Sequence, residues 1–309
     1  MSPDPLRYHL QTTDMQQTEV VVFGAAHIDL EARLQGPFHS GASNPVDVRR
    51  TLGGVGANVA LASCRSATTS LCTITGSDAD GNAITTALRE AGVVVDVIHS
   101  TVSSGFYLAL LDMQGHLQHG LANTALMELA DSEKITTSLA KCKDVRIIAF
   151  DCNLSSAAIN TICNHPFADS TRPLLAAIAV SPMKTNRLKI ALEKLDFLFC
   201  NREELAALTN ASDNLPLQEL AEHVNSMGVK TVIATDSNHP LVVVEESASH
   251  SISIPTTAAS FSGSVNGAGD SLAGAVIAQL AKGTDVVAAI KQQGLAAALL
   301  LLETGKPQV

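Results

Sequence analysis

The stretch Gly267-Ala268-Gly269-Asp270 sets a carboxylate directly after a glycine turn. Two glycines and an alanine let the chain bend tightly enough for successive N–H groups to converge on an anion. The apolar run at 272–280 reads as a helix behind that turn, and its N-terminus adds partial positive charge at the same point. Phosphoryl transfer needs this pairing: the N–H groups take the moving phosphoryl group while Asp270 takes the proton of an attacking hydroxyl. The same residues also fit a plain glycine turn with Asp as a helix cap.

A second glycine block lies far upstream, Leu52-Gly53-Gly54-Val55-Gly56-Ala57-Asn58. Its backbone allows close approach of a hydroxyl-rich ligand, and Asn58 can both donate to and accept from hydroxyls. With both blocks in this order the chain resembles the ribokinase-like family of carbohydrate and nucleoside kinases, whose signatures are GG-x-G-x-N and T-G-A-G-D. The resemblance covers about 20–304. It implies a three-layer α/β/α domain with a small β-sheet lid, and ATP with Mg²⁺ as cosubstrates. Many members of the family also use a monovalent cation. By the same resemblance Asp270 is the base, and the N–H groups of Gly267, Ala268 and Gly269 hold the phosphoryl group. Asp29, Asn44, Gly54, Val55, Asn58 and Asn153 hold the acceptor. Asn201, Thr235 and Asn266 face the nucleotide. Asn201-Arg202-Glu203-Glu204 matches the family's N-x-x-E motif, which places Glu204 near the metal through water. Read alone, that motif is an Asn cap followed by acids at a helix start.

Within the family, three segments resemble the branch that phosphorylates the 5′-hydroxyl of pseudouridine. They are Ser43-Asn44-Pro45, the stretch from Ser103-Ser104 to Gly115, and Phe150-Asp151-Cys152-Asn153. Ala57 stands where that branch has Arg, and Asn123-Thr124 where it has Asn-Asp. Asn266 replaces the signature Thr, and Ser237, Asn238, His239 and Pro240 stand where the family has glycines beside ATP. Those departures keep two alternatives open: another sugar or nucleoside kinase, or a nucleoside-binding protein without catalysis.

Elements that would position these residues alternate along the chain. Strands are expected at 20–25, 145–150, 174–180, 197–200 and 231–234, with helices near 55–65, 81–91, 155–163, 185–195, 202–209 and 215–227. A hairpin is expected at 241–244 and 251–254, then helices at 268–282 and 284–302. Polar excursions at about 31–52 and 100–122 fit the lid, residues 1–18 a loose tail, and 19–309 one kinase domain. Ligands of such sheets bind at the strands' carboxyl ends, where Asp29, Asp151, Asn153 and Asn201 fall.

A net charge of -10 and no basic run beyond Arg49-Arg50 argue against nucleic-acid binding. The longest apolar run, 295–302, is too short for a membrane span. Six scattered cysteines without a C-x-x-C pair fit reduced residues in a cytosolic protein. The one Gly-Lys pair, Gly305-Lys306, lacks the leading glycine of a P-loop. His27 lies beside Asp29, where a structural role is expected. Lid strands left with free edges suggest pairing into a homodimer.

Overall fold

The computed structural model describes residues 18–167, 172–246, 248–253, 267–304, 306, 308 and 309. Of the tail expected at 1–18, all but Thr18 lies outside them, as does Asn266.

Strand β1 (Val20–Phe23) is buried at every residue, because parallel neighbours flank it and helices cover both faces. It pairs with β4 (Thr69–Gly76) on one edge and β8 (Ile147–Asp151) on the other. The sheet continues with β5 (Val94–Ser100) beyond β4, and with β9 (Leu174–Ile178), β10 (Phe197–Asn201), β11 (Thr231–Thr235), β12 (Leu241–Glu245) and β13 (Ala248–Ile252) beyond β8. The order is β13-β12-β11-β10-β9-β8-β1-β4-β5, parallel except for the antiparallel hairpin β12–β13 and its junction with β11.

Alternation along the strands feeds two cores. Val20, Val22 and Leu71 pack beneath α1 (Val55–Ser63), α2 (Ala79–Glu90) and α8 (Ala268–Ala281). Val21, Phe23 and Cys72 face α3 (Ser132–Leu139), α4 (Ser156–Cys163), α6 (Arg202–Thr209) and α7 (Leu217–Ser226). The result is a three-layer α/β/α sandwich. Phe23 and Phe150 are fully buried, and cutting either to Ala costs about 3–5 kcal/mol. All six cysteines are free.

A second sheet, ordered β3-β2-β6-β7, is made of β2 (His27–Leu34), β3 (Val46–Gly53), β6 (Phe106–Leu111) and β7 (Leu117–Asn123). Only Gly24, Ala25 and Ala26 separate β1 from β2, so the first strand of the core leads straight into this sheet. It begins at His27, ahead of the excursion expected from residue 31.

Four further elements depart from expectation. The helix expected at 185–195 is instead α5 (Pro182–Thr185) followed by the tight turns Asn186–Ile190 and Leu192–Lys194. Leu188, Leu192 and Leu195 still bury, while the Arg187 guanidinium bonds the carbonyls of Cys152, Asn153 and Leu154. The helix expected at 284–302 is split by a wide π turn at Ile290–Gly294. The stretch Val286–Thr304 is long and apolar enough to match a membrane span, yet Val286, Ala289 and Ile290 pack into the core. Strands β4 and β5 had no clear sequence signal. In β4, hydroxyls stand in for an apolar run: Thr69 donates to Ser63 and to the carbonyl of Ala67.

Candidate active site

The strand order reverses between β1 and β8, and ligands of open α/β sheets bind at such a point. At the end of β8 the Asp151 carboxylate is fully buried. Oδ2 accepts the N–H groups of Ala25 and Gly56, each at 2.9 Å, and Oδ1 that of Asn153 at 2.8 Å. Burial pushes its pKa up, and those backbone donors oppose the push. Asp151 thereby fastens the exit of β1 to the start of α1. Gly54, the N-cap of α1, has φ 101°, a conformation a side chain would strain.

The second turn faces the first. Gly267, with φ 91°, caps α8 without a side-chain acceptor, so the first-turn N–H groups have no intrahelical partner. Asp270 lies in that turn, and its Oδ2 accepts from Asn58 Nδ2 at 2.8 Å. Burial raises the Asp270 pKa to about 6, Asn58 and Lys306 pull it down, and the charges of Asp151 and Asp29 add to the rise. The residue still presents some surface to the cleft, so water moderates the effect of enclosure.

Asn201 at the end of β10 starts α6 with a reciprocal cap. Its side chain accepts the Glu204 N–H at 2.9 Å, and Glu204 Oε2 accepts the Asn201 N–H at 2.8 Å. Glu204 is 4% exposed. Its pKa is pushed to about 7, first by burial, against the Asn201 N–H and with help from Asp270 and Glu203. Thr235 ends β11 opposite Asn201. Ser237 beyond it takes φ 52°, the left-handed conformation that a glycine adopts freely. Arg202 anchors the preceding Asp236 through Nε at 3.0 Å and Nη2 at 2.9 Å.

Asp29 stands on β2. Lys306 Nζ donates to its Oδ2 at 2.7 Å. His27 Nδ1 lies 3.1 Å from Oδ1 but off the hydrogen-bonding direction. Burial pushes the Asp29 pKa up, and His27 and Lys306 outweigh it, holding the carboxyl below its ordinary value.

These residues border one cleft of about 420 Å³. Of the expected positions, Asp29, Gly54, Val55, Asn58, Asn201, Glu204, Thr235, Gly267, Gly269 and Asp270 line it. Ala268 does not. Asn44 closes its own loop, accepting the His39 N–H at 2.7 Å and donating to the carbonyls of His39 and Ala42. Asn153 is buried beside the cleft, where its Oδ1 accepts from Lys184 at 2.7 Å. Residues 236–240 are not among the lining. Tyr107 and Lys306 line it without having been expected. Tyr107 sits opposite Asp29 in the β2–β6 register, a placement no motif signals. Lys306 was visible only as half of the failed P-loop pair.

The arrangement offers three carboxylates, one of them, Asp270, beside first-turn N–H groups that have no partner within their own helix. Among the described residues no three His, Cys, Asp or Glu side chains cluster to hold a metal directly.

A family model described as pfkB family carbohydrate kinase matches residues 17–308. A guanosine-inosine kinase of Exiguobacterium acetylicum is 26% identical over 282 residues, 88% of this chain and 91% of that one. The pseudouridine kinase of Escherichia coli is 27% identical over 194 residues, 62% of this chain and 60% of that one. A ribokinase crystal structure from Thermotoga maritima superposes with a TM-score of 0.79 at 18% identity, covering 94% of each chain.

Proposed function

This chain belongs to the pfkB family of carbohydrate kinases, and from that premise we propose that it transfers the terminal phosphoryl group of ATP to the 5′-hydroxyl of a nucleoside, pseudouridine first among them. It is a sugar or nucleoside kinase. The observation that carries the site reading is Asp270, bound by Asn58 across the cleft and set in the uncapped turn that starts at Gly267.

Asp29 and Asn58 bind the acceptor's hydroxyls and aim the reacting one at Asp270. As the acceptor oxygen bonds to phosphorus, the bond from phosphorus to the bridging oxygen of ATP breaks. The hydroxyl proton passes to Asp270, and ADP leaves. With a pKa of about 6, Asp270 is ionised near neutral pH and still basic enough to accept that proton. N–H groups at 267–269 take the negative charge of the moving group. Asn201 and Thr235 face the nucleotide. A single buried carboxylate, with no protein cage, suits an ion that keeps its waters and phosphate oxygens, so Glu204 would hold Mg²⁺ through water. The ion supplies charge neutralisation on the triphosphate.

A purine nucleoside is the second reading, favoured by the likeness to a guanosine-inosine kinase across 88% of the chain. A homodimer through the lid is a further part of the proposal. Strand β7 is an edge strand exposed at every residue, with Leu117 and Leu121 more than half exposed, and pairing would cover it.

An ADP-release assay over pseudouridine, guanosine, inosine, ribose and fructose tests the acceptor. Pseudouridine is expected to be turned over best and to raise the melting temperature most, because a base adds buried area to the ribose contacts. Preference for guanosine or inosine would replace pseudouridine with the purine reading. Equal or better performance of the free sugars would remove the nucleoside assignment and leave a sugar kinase.

A further inference from the structure

Three carboxylates line the cleft, Asp29, Glu204 and Asp270, and Lys306 is the one Lys or Arg among the described lining residues. Its side chain is only 15% exposed. Backbone pairing brings it there. Thr51 faces Asp29 in the β2–β3 register, and Gln308 bridges antiparallel to Thr51. The segment after the last helix thus lies along the lid sheet, level with the acceptor carboxylate. The Lys306 stem passes the anion turn as well: Cε is 3.2 Å from the place a Cβ on Gly267 would occupy. One side chain touches both halves of the site.

The two oxygens of Asp29 are in different states. Oδ1 is buried, with His27 Nδ1 3.1 Å away but no hydrogen-bond partner among the described residues, while Oδ2 is held by Lys306 at 2.7 Å. One hydroxyl can take Oδ1 directly. A vicinal diol that uses both oxygens competes with the ammonium for Oδ2, and on a carboxylate whose side chain is 17% exposed there is little room for both. A buried cation without a partner is costly. The anion turn at Gly267 lies along its stem, and phosphate oxygens placed there would be a suitable partner.

We propose that Lys306 is a further residue of the phosphoryl-transfer site, held by Asp29 while the acceptor place is empty and handed to the oxygens of the transferring group when an acceptor diol takes Asp29. This rests on the kinase reading above. Its consequence is reciprocal: acceptor and nucleotide strengthen each other's binding through one ammonium.

Lys306→Met keeps the length of the side chain and removes the charge. Titration calorimetry would use a non-hydrolysable ATP analogue with Mg²⁺, with and without saturating pseudouridine or guanosine, whichever the protein turns over. In the unaltered protein the nucleoside is expected to tighten analogue binding about fivefold or more. In Lys306→Met that coupling disappears, and kcat falls about 10²-fold while the nucleoside KM changes much less. Lys306→Arg, which keeps the charge, retains the coupling, and thermal melts confirm that both variants fold. Retention of either the coupling or the rate in Lys306→Met overturns the proposal, as does equal loss in the Arg variant, which would mark a packing effect. If the unaltered protein phosphorylates no nucleoside or sugar, the kinase reading fails and this inference with it. A working protein beside a normal Lys306→Met variant sinks the inference alone.

Discussion

The two glycine turns that meet in this cleft use similar residues and end in opposite states. At Gly53-Gly54-Val55-Gly56 the neighbouring carboxylate, Asp151, is saturated by three backbone N–H groups and wholly buried. At Gly267-Ala268-Gly269 the helix has no side-chain cap, a Cβ on Gly269 would meet nothing within 4 Å, and Asp270 has one hydrogen bond, from Asn58, among the described contacts. A carboxylate filled with donors acts as a staple. One left with a single described donor, beside N–H groups that lack an intrahelical partner, keeps its capacity to bind and exchange a proton. Enclosure raises the pKa of both, so the pKa direction alone does not separate them. The number of donors does.

The sharpest way to break this contrast is at Asp270. Asp270→Asn keeps size and shape, so kcat is expected to fall roughly 10²–10⁴-fold with nucleoside affinity within a few-fold and a cooperative melt that shows the fold intact. Normal turnover would make the second turn a staple like the first. Asp151→Ala is expected to do the reverse. It strands three buried N–H groups at about 1–3 kcal/mol each, so urea unfolding should show a loss of about 3 kcal/mol or more. A loss below about 1 kcal/mol would mean that the first turn holds itself.

Acidity separates the turns more finely. Because Asp270 must be ionised to act, kcat/KM should drop about tenfold per pH unit below its pKa of about 6 and level off above it. Asn58→Ala removes a bond that lowers this pKa, so the acid limb should move to higher pH. An unmoved limb would assign it to another group. The linkage to stability has a definite sign. A carboxyl whose folded pKa is raised from 3.8 to about 6 contributes stability below about pH 4 that is lost as pH rises through about 6. Asp270→Asn should therefore gain stability relative to the unaltered protein above pH 6, and chemical denaturation at pH 5 and pH 8 measures the difference.

Both turns were legible in the sequence because glycine spacing followed by Asn or Asp is a local pattern. The same holds for the cap at Asn201 and Glu204, whose partners sit three residues apart. The central apolar strands were equally plain, since burial on both faces requires uninterrupted apolar runs. Strand β4 was not, because its Thr and Ser hydroxyls find partners only in the folded chain. Asp151 could be placed at a strand end, but two of its three donors, Ala25 and Gly56, come from residues distant in sequence. Lys306 reaches Asp29 across 277 residues, and no spacing rule spans that gap. The conformation of the segment that replaces the family's glycines at 237–240 also needed the fold, because Ser237 keeps a glycine-like backbone and Arg202 holds Asp236 in place.

The smallest effect tests that last point at Ser237, beyond Thr235 and outside the residues that line the cleft. Ser237 adopts φ 52°, which costs an L-residue about 1–2 kcal/mol relative to glycine. Ser237→Gly relieves that cost but frees the unfolded chain by about 0.4–1 kcal/mol, so the net change in stability should be within about 1 kcal/mol. Losing the side chain beside Thr235 opens the backbone to phosphate oxygens, and ATP-analogue affinity should rise by a few-fold, which is under about 1 kcal/mol. Asp236, tied to Arg202, keeps the turn in position throughout, so kcat should hardly change. Calorimetry with the Mg²⁺ analogue decides the matter. A tenfold or greater gain would mean that the serine closes off the nucleotide place, and the donor end would then limit this cleft more than the two turns do.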